Sequence, residues 1–163
     1  MKATSLPRAA SPLIAAGLPS RPNDRAVHDL SKTLSPAAVA DLERRADAVL
    51  RAGAAVAVLV RFHRSDSDDT RAAARRLLSE WEVEREAGRA DGVAIVVNLQ
   101  ESDPNHGAAA IHVGRALRDG NLPPREVERI WRDEMRPALR EGRVADCIAT
   151  GLDAVARSLR EGP

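Results

Sequence analysis

The residues of this chain with the plainest capacity for chemistry are aspartates in loops beside the ends of its periodic elements. Asp29, Asp91 and Asp119 each abut an element end, in the pairs His28-Asp29, Asp91-Gly92 and Asp119-Gly120. Loops at strand ends are where α/β sheets gather ligands. Carboxylate oxygens drawn from several loops suit a hard cation such as Ca²⁺, which accepts about 6–8 oxygens in loose geometry. The same residues also have a structural reading, in which Asp91-Gly92 is a turn and Asp29 a cap. Spacing alone leaves both open.

Other patterns are excluded on inspection. Asp66, Asp68 and Thr70 spell D-x-D-x-T, the nucleophile motif of haloacid-dehalogenase-type phosphatases, in which the first Asp attacks phosphorus off a strand end. Here it starts four residues beyond Phe62, and the later Asp-rich motif and Lys are missing, so a solvated loop with helix-capping carboxylates accounts for it. An EF-hand would need Gly where Arg71 stands and Glu where Leu77 stands. Cys147 lacks the downstream Arg that would lower a thiol pKa and cradle phosphate, and reads as a core cysteine on the last helix. His28, His63, His106 and His112 show no metal-ligand spacing.

These groups must be positioned by a chain of 163 residues, the size of one domain with a sizeable core. Its 25 basic and 24 acidic residues nearly cancel, which gives no broad electropositive face for nucleic acid. One cysteine excludes an internal disulfide framework. No run approaches the roughly 20 apolar residues of a membrane span. Residues 1–22, with four of the ten prolines, read as a disordered leader without a clear signal peptide, and 23–160 as a single domain.

From Val27 onward helix-period and strand-like stretches alternate, the mark of a βαβ arrangement. Ser35-Pro36 is an N-cap followed by Pro at the first helical position; Val39, Leu42, Val49 and Leu50 then share a face until Gly53. Ala54 to Phe62 is a Val-rich run suited to a strand buried on both faces. Ala74, Leu77, Leu78 and Trp81 define a second helix, with Asp69 and Thr70 as capping candidates. Gly92 to Leu99 and Ala108 to Val113 are two further strands, paired as a hairpin across the turn-rich segment 102–107. The first two strands should be parallel with a right-handed crossover, which makes the sheet mixed. Pro123-Pro124 opens a helix carrying Val127, Ile130, Trp131 and Met135, which Pro137 should kink or end. Val144, Ile148, Leu152, Val155 and Leu159 mark a last helix. The expected architecture is a three-layer α/β/α sandwich around a small mixed sheet, a βαβ unit plus a hairpin, with paired C-terminal helices.

The order of these pieces resembles the TPM domain family. It runs V-x-D-x-x-x-x-L-S at Val27, Asp29, Leu34 and Ser35, then Trp81 within LLSEWEV, D-G-V-A-I-V-V at Asp91 to Val97, and H-V-G at His112 to Gly114, followed by Leu-Pro and paired helices. It covers roughly Asn23 to Leu159. The resemblance implies an α/β/α sandwich, an extracytoplasmic or thylakoid-lumenal setting, calcium at loop carboxylates, and the acid phosphatase activity reported for plant members involved in photosystem repair. Carried onto this sequence, Asp29 matches the family's early Asp, and Asp91 and Gly92 match its D-N-G turn with the Asn lacking. Gly114 matches the first Gly of a G-Y-G-L-E-G segment that reads G-R-A-L-R-D-G here, with Arg115 for the aromatic and Asp119 near the family's Glu after one inserted residue.

Two classes of function follow. In one, the chain is a calcium-dependent or metal-free interaction module acting on a protein partner, which we favour. In the other it hydrolyses phosphomonoesters, with Asp29, Asp91 and Asp119 holding the ion and Arg115 or Arg118, beside Gly114, steadying a phosphorylated substrate. No nucleophile or base is evident for the second. A diverged member that keeps only the scaffold is a third reading.

Overall fold

The computed structural model describes residues 17–162. A four-stranded mixed sheet in the order β1-β2-β3-β4 lies at its centre, with β1 Val27–Asp29, β2 Ala55–Phe62, β3 Gly92–Gln100 and β4 Asp103–Val113. The first three strands run parallel and β4 runs antiparallel to β3. β3 is buried along its length except at Gln100, because it has strands on both sides and helices on both faces. That burial explains its continuous apolar run.

Helix α1, Pro36–Ala52, starts where Ser35 Oγ accepts the Ala38 N–H at 3.1 Å and stops at Gly53, whose φ of 120° disfavours other residues. Leu42, Ala46 and Val49 are its buried residues, whereas Leu50, expected on the same face, is 49% exposed. Helix α2, Ser67–Glu80, joins β2 to β3 and packs on the opposite face of the sheet. Its N-cap is Asp66, three residues ahead of the expected Asp69: Asp66 Oδ1 accepts the Asp69 N–H at 2.8 Å, in a capping box where Asp69 reaches back.

The hairpin is tighter than the sequence implies. Of the residues expected in the turn, Asp103 and Gly107 pair with Gln100 and Leu99, and Pro104, Asn105 and His106 between them bulge out of the ladder beyond the Glu101-Ser102 reversal. Pro104 lies in that bulge, where no ladder donor is asked of it, and Gly107 re-enters the ladder opposite Leu99.

After β4 come α3 Arg115–Arg118, α4 Pro124–Arg129, a π-helical stretch Ile130–Met135, α5 Arg136–Arg140 and α6 Val144–Glu161. Pro137 therefore neither ends nor breaks the helix. The winding widens ahead of it, so that the Arg136 N–H donates to Trp131 O, and Thr150 Oγ1 on α6 donates to Glu134 O at 2.8 Å. Met135 packs against Gly151, where a Cβ would stand 2.7 Å from its sulfur.

The larger apolar cluster lies between the sheet and α1, α5 and α6; the smaller lies under α2. Cys147 is in the larger one, its thiol pKa pushed up to about 12 by burial, as fits a core residue. Of the expected leader, residues 1–16 lie outside the described residues; 17–22 form no helix or strand. Within them Leu18 packs on the smaller cluster and Trp81 Nε1 donates to Pro19 O at 2.8 Å. Among the described residues no helix is long and apolar enough to cross a membrane.

Candidate functional site

The three aspartates do not meet. Asp29 closes β1 opposite Val60, while Asp91 precedes Gly92, which pairs with Ala55, five residues earlier on β2. At about 3.3 Å per residue, roughly 16 Å of strand separates them along the sheet. Each carboxylate is also engaged. Asp29 Oδ1 accepts from the main-chain N–H of Ser31 and of Lys32, both at 3.0 Å, and from the Ser31 hydroxyl, and Oδ2 accepts from Leu34 N–H at 2.8 Å. It thus folds the loop that leads to α1, with Lys32 at a φ of 57°.

Asp91, 3% exposed, accepts the Arg85 N–H at 2.9 Å on Oδ1 and Arg85 Nε at 2.6 Å on Oδ2. Burial works to raise its pKa, but the hydrogen bonds and charge of Arg85 outweigh it and hold the carboxyl below the usual range. Asp119 is exposed and stands 3.7 Å from Arg115 Nε. Among the described residues no group of three or more His, Cys, Asp or Glu could hold a metal ion. The donor set implied for calcium is not convergent among the described residues.

Gly114 and Arg115 likewise take other roles. A Cβ on Gly114 would stand 2.2 Å from Ala90 O, its N–H donates to Gly92 O at 2.8 Å, and Ala116 N–H donates to Ala90 O at 3.0 Å. The short helix therefore spends its first donors on the loop before β3. Arg115 is turned to solvent, with 82% of its side chain exposed.

Arg118 is different. It lines a groove of about 360 Å³ that runs along β4, from Ala109 to Val113, between α2 and α4 with its π-helical extension. Arg71 and Arg75 stand on the α2 wall; Val127, Glu128 and Trp131 form the other. Neither Arg75 nor Arg118 has an ion-pair partner among the described residues, whereas Arg71 is 3.7 Å from Asp68. Burial, then Arg118 and Arg75, lower the pKa of His112, so the imidazole is neutral at neutral pH. Ser67 also lines the groove, yet it forms no hydrogen bond with His112, the pairing that activates a hydroxyl nucleophile.

The floor of this groove is an unpaired sheet edge. Gly114 N–H donating to Gly92 O makes those two a hydrogen-bonded pair. Pairs alternate along an antiparallel ladder, so Val113, Ile111 and Ala109 are non-hydrogen-bonded positions whose main-chain N–H and C=O point away from β3. Edges are normally blunted by charge or proline, and residues 107–113 of β4 carry neither a carboxylate, a Lys or Arg, nor a Pro.

A TPM domain profile matches residues 27–158. The chain belongs to the TPM domain family. Among solved structures, the solution structure of the N-terminal domain of a P. gingivalis protein is 26% identical, with a TM-score of 0.60 over 85% of this chain and 83% of that one. The N-terminal domain of cg2496 protein from Corynebacterium glutamicum is 14% identical, with a TM-score of 0.60 over 86% and 82%. BA42 protein from Bizionia argentinensis is 13% identical, with a TM-score of 0.52 over 81% and 85%. No curated protein matches the chain.

Within this TPM domain the groove's α2 wall has only a faint signal in the sequence. Arg71 and Arg75 are like charges at i,i+4, a pairing that costs a helix a few tenths of a kcal/mol and calls for a reason.

Proposed function

We propose that this TPM domain is an interaction module whose groove along β4 takes an extended, acidic segment of a protein partner. The observation that carries the reading is the main-chain edge of β4, which has no strand partner at Ala109, Ile111 and Val113 and is most open at Ile111, flanked by Arg75 and Arg118, which have no ion-pair partner among the described residues. Strand addition supplies affinity through main-chain hydrogen bonds, and alternate side chains supply selectivity. One side of an added strand meets Trp131 and Val127; carboxylates on it reach the arginines. Glu128 on the rim turns away acidic residues at its own end of the groove.

A blocked hexapeptide of alternating Glu and Val, titrated into isotope-labelled protein, is expected to shift the Ala109, Ile111 and Val113 amides saturably. Arg75→Glu with Arg118→Glu weakens binding by about tenfold or more, the equivalent of ~1.4 kcal/mol. Methylating alternate peptide nitrogens removes the ladder hydrogen bonds and abolishes binding. An N-methylated peptide that binds as tightly as its parent would sink the strand-addition reading.

A further inference from the structure

A second cluster lies on the α2 face, at the carboxyl ends of β2 and β3. Arg61 interrupts the apolar run of β2 and is 9% exposed. Its Nε donates to Asn98 Oδ1 at 2.9 Å, opposite it in the ladder. Asn98 Nδ2 in turn donates to Ser65 Oγ at 2.9 Å and to Thr70 Oγ1 at 3.2 Å, and Thr70 Oγ1 donates to Asp66 O at 2.7 Å. One edge of the guanidinium is thereby fixed in a satisfied network.

The other edge is free. Among the described residues no carboxylate lies within ion-pair distance of Arg61, and its two terminal nitrogens have no hydrogen-bond partner in the protein and are open to solvent. They open on a cavity of about 180 Å³ lined by His63, Asp69, Ala72 and Arg76. Partial burial and the neighbouring charge of Arg76 both work against the Arg61 cation and lower its pKa, so an anion at its open edge would relieve it. Arg76 gives its Nε and Nη2 to Glu80 and leaves Nη1 unused. Asp69 is the opposing charge in the lining, tied into the cap of α2 by its contact with Asp66.

We propose that this cavity is a binding site for a small oxyanion, held by the Nη1/Nη2 fork of Arg61 with Arg76 at the mouth. Two parallel N–H donors match the spacing of two oxygens on a carboxylate or a phosphate. The position follows the rule that α/β sheets bind ligands at the carboxyl ends of their parallel strands. It is independent of the β4 groove.

The test titrates sodium phosphate and, separately, sodium acetate into isotope-labelled protein at constant ionic strength. Saturable shifts are expected at the His63, Ala72 and Ala73 amides. A response to one anion alone supports the site and identifies its ligand. Arg61→Lys keeps the charge but loses the fork, and is expected to weaken binding by about tenfold or more. Ala72→Glu places a carboxylate at the mouth from an exposed helical position, leaves the Arg61 network intact, and is expected to do the same. It decides the matter if Arg61→Lys does not fold. Shifts confined to the β4 groove, no saturation with either anion, or unchanged affinity in Ala72→Glu would overturn the proposal.

Discussion

Gly92→Ala is expected to lose the native fold at ambient temperature. The methyl group would stand 1.7 Å from Val83 O and 2.7 Å from Val83 C, inside any permitted contact. Gly92 opens β3 between β2 and β4, so it cannot retreat without breaking its pairing with Ala55 and its hydrogen bond from Gly114. The Val83 carbonyl belongs to a segment fixed at one end by Val83 N–H on Leu78 O and at the other by Asp91 on Arg85. Overpacking against backbone held at both ends exceeds the usual range for core substitutions, and a loss of over about 4 kcal/mol is expected. Gly17→Ala, with nothing within 4 Å of the added carbon, is the matched control and should stay within about 0.5 kcal/mol of the parent. Urea unfolding of the pair measures both; a Gly92→Ala protein as stable as the control would refute the steric account.

Asp91→Asn carries the second largest effect. Asparagine keeps the volume and can still accept the Arg85 N–H, but its amide nitrogen would face Arg85 Nε, donor against donor. The loss is about 2–3 kcal/mol, toward the lower end for broken charged contacts because Arg85 is 38% exposed. For a chain of this size that lowers Tm by roughly 5–10 °C. The sign of the pH dependence follows from the depressed pKa of the folded carboxyl. Its stabilisation is present in full above the unfolded-chain value of about 3.9 and is lost as pH falls through the lower folded value. Wild type and variant should therefore differ most at neutral pH and converge in acid. Thermal scans between neutrality and strong acid test this; a gap that persists in acid would contradict the assignment. Added calcium should not restore the variant, since Asp91 acts here through Arg85.

The architecture was legible because burial writes itself into composition. The Val-rich runs of β2 and β3 and the stripes of α1, α2 and α6 each follow from one face or two being packed. The ends of elements were harder. Asp66, Asp69 and Thr70 all stand near the start of α2, and only the hydrogen bonds choose Asp66. β1 is three residues long and gains its pairing from β2 rather than from its own pattern. The separation of Asp29 from Asp91 could not be read from the sequence, because loop carboxylates serve turns and arginines as well as cations, and one-dimensional order does not say which end of a strand a loop occupies. Arg118 lines the groove, but its companions, Arg71 and Arg75 on α2 and Trp131 in the π-helical stretch, come from two other parts of the chain that only the fold brings beside it. Arg61 is visible in the sequence as a charge in an apolar strand, but its partner Asn98 and its cavity are not.

The π-helical stretch between Ile130 and Met135 ties two demands to one segment: Trp131 faces the groove while Met135 seats on Gly151. Such a stretch amounts to one surplus residue in an α-helix, and each residue turns a helix by about 100°. Losing one residue there would restore ordinary winding and swing the Trp131 wall relative to the anchored helices behind it, with all four strands untouched. The groove wall can thus be recut by a change in length, a heritable dial separate from the substitutions that would endanger the core.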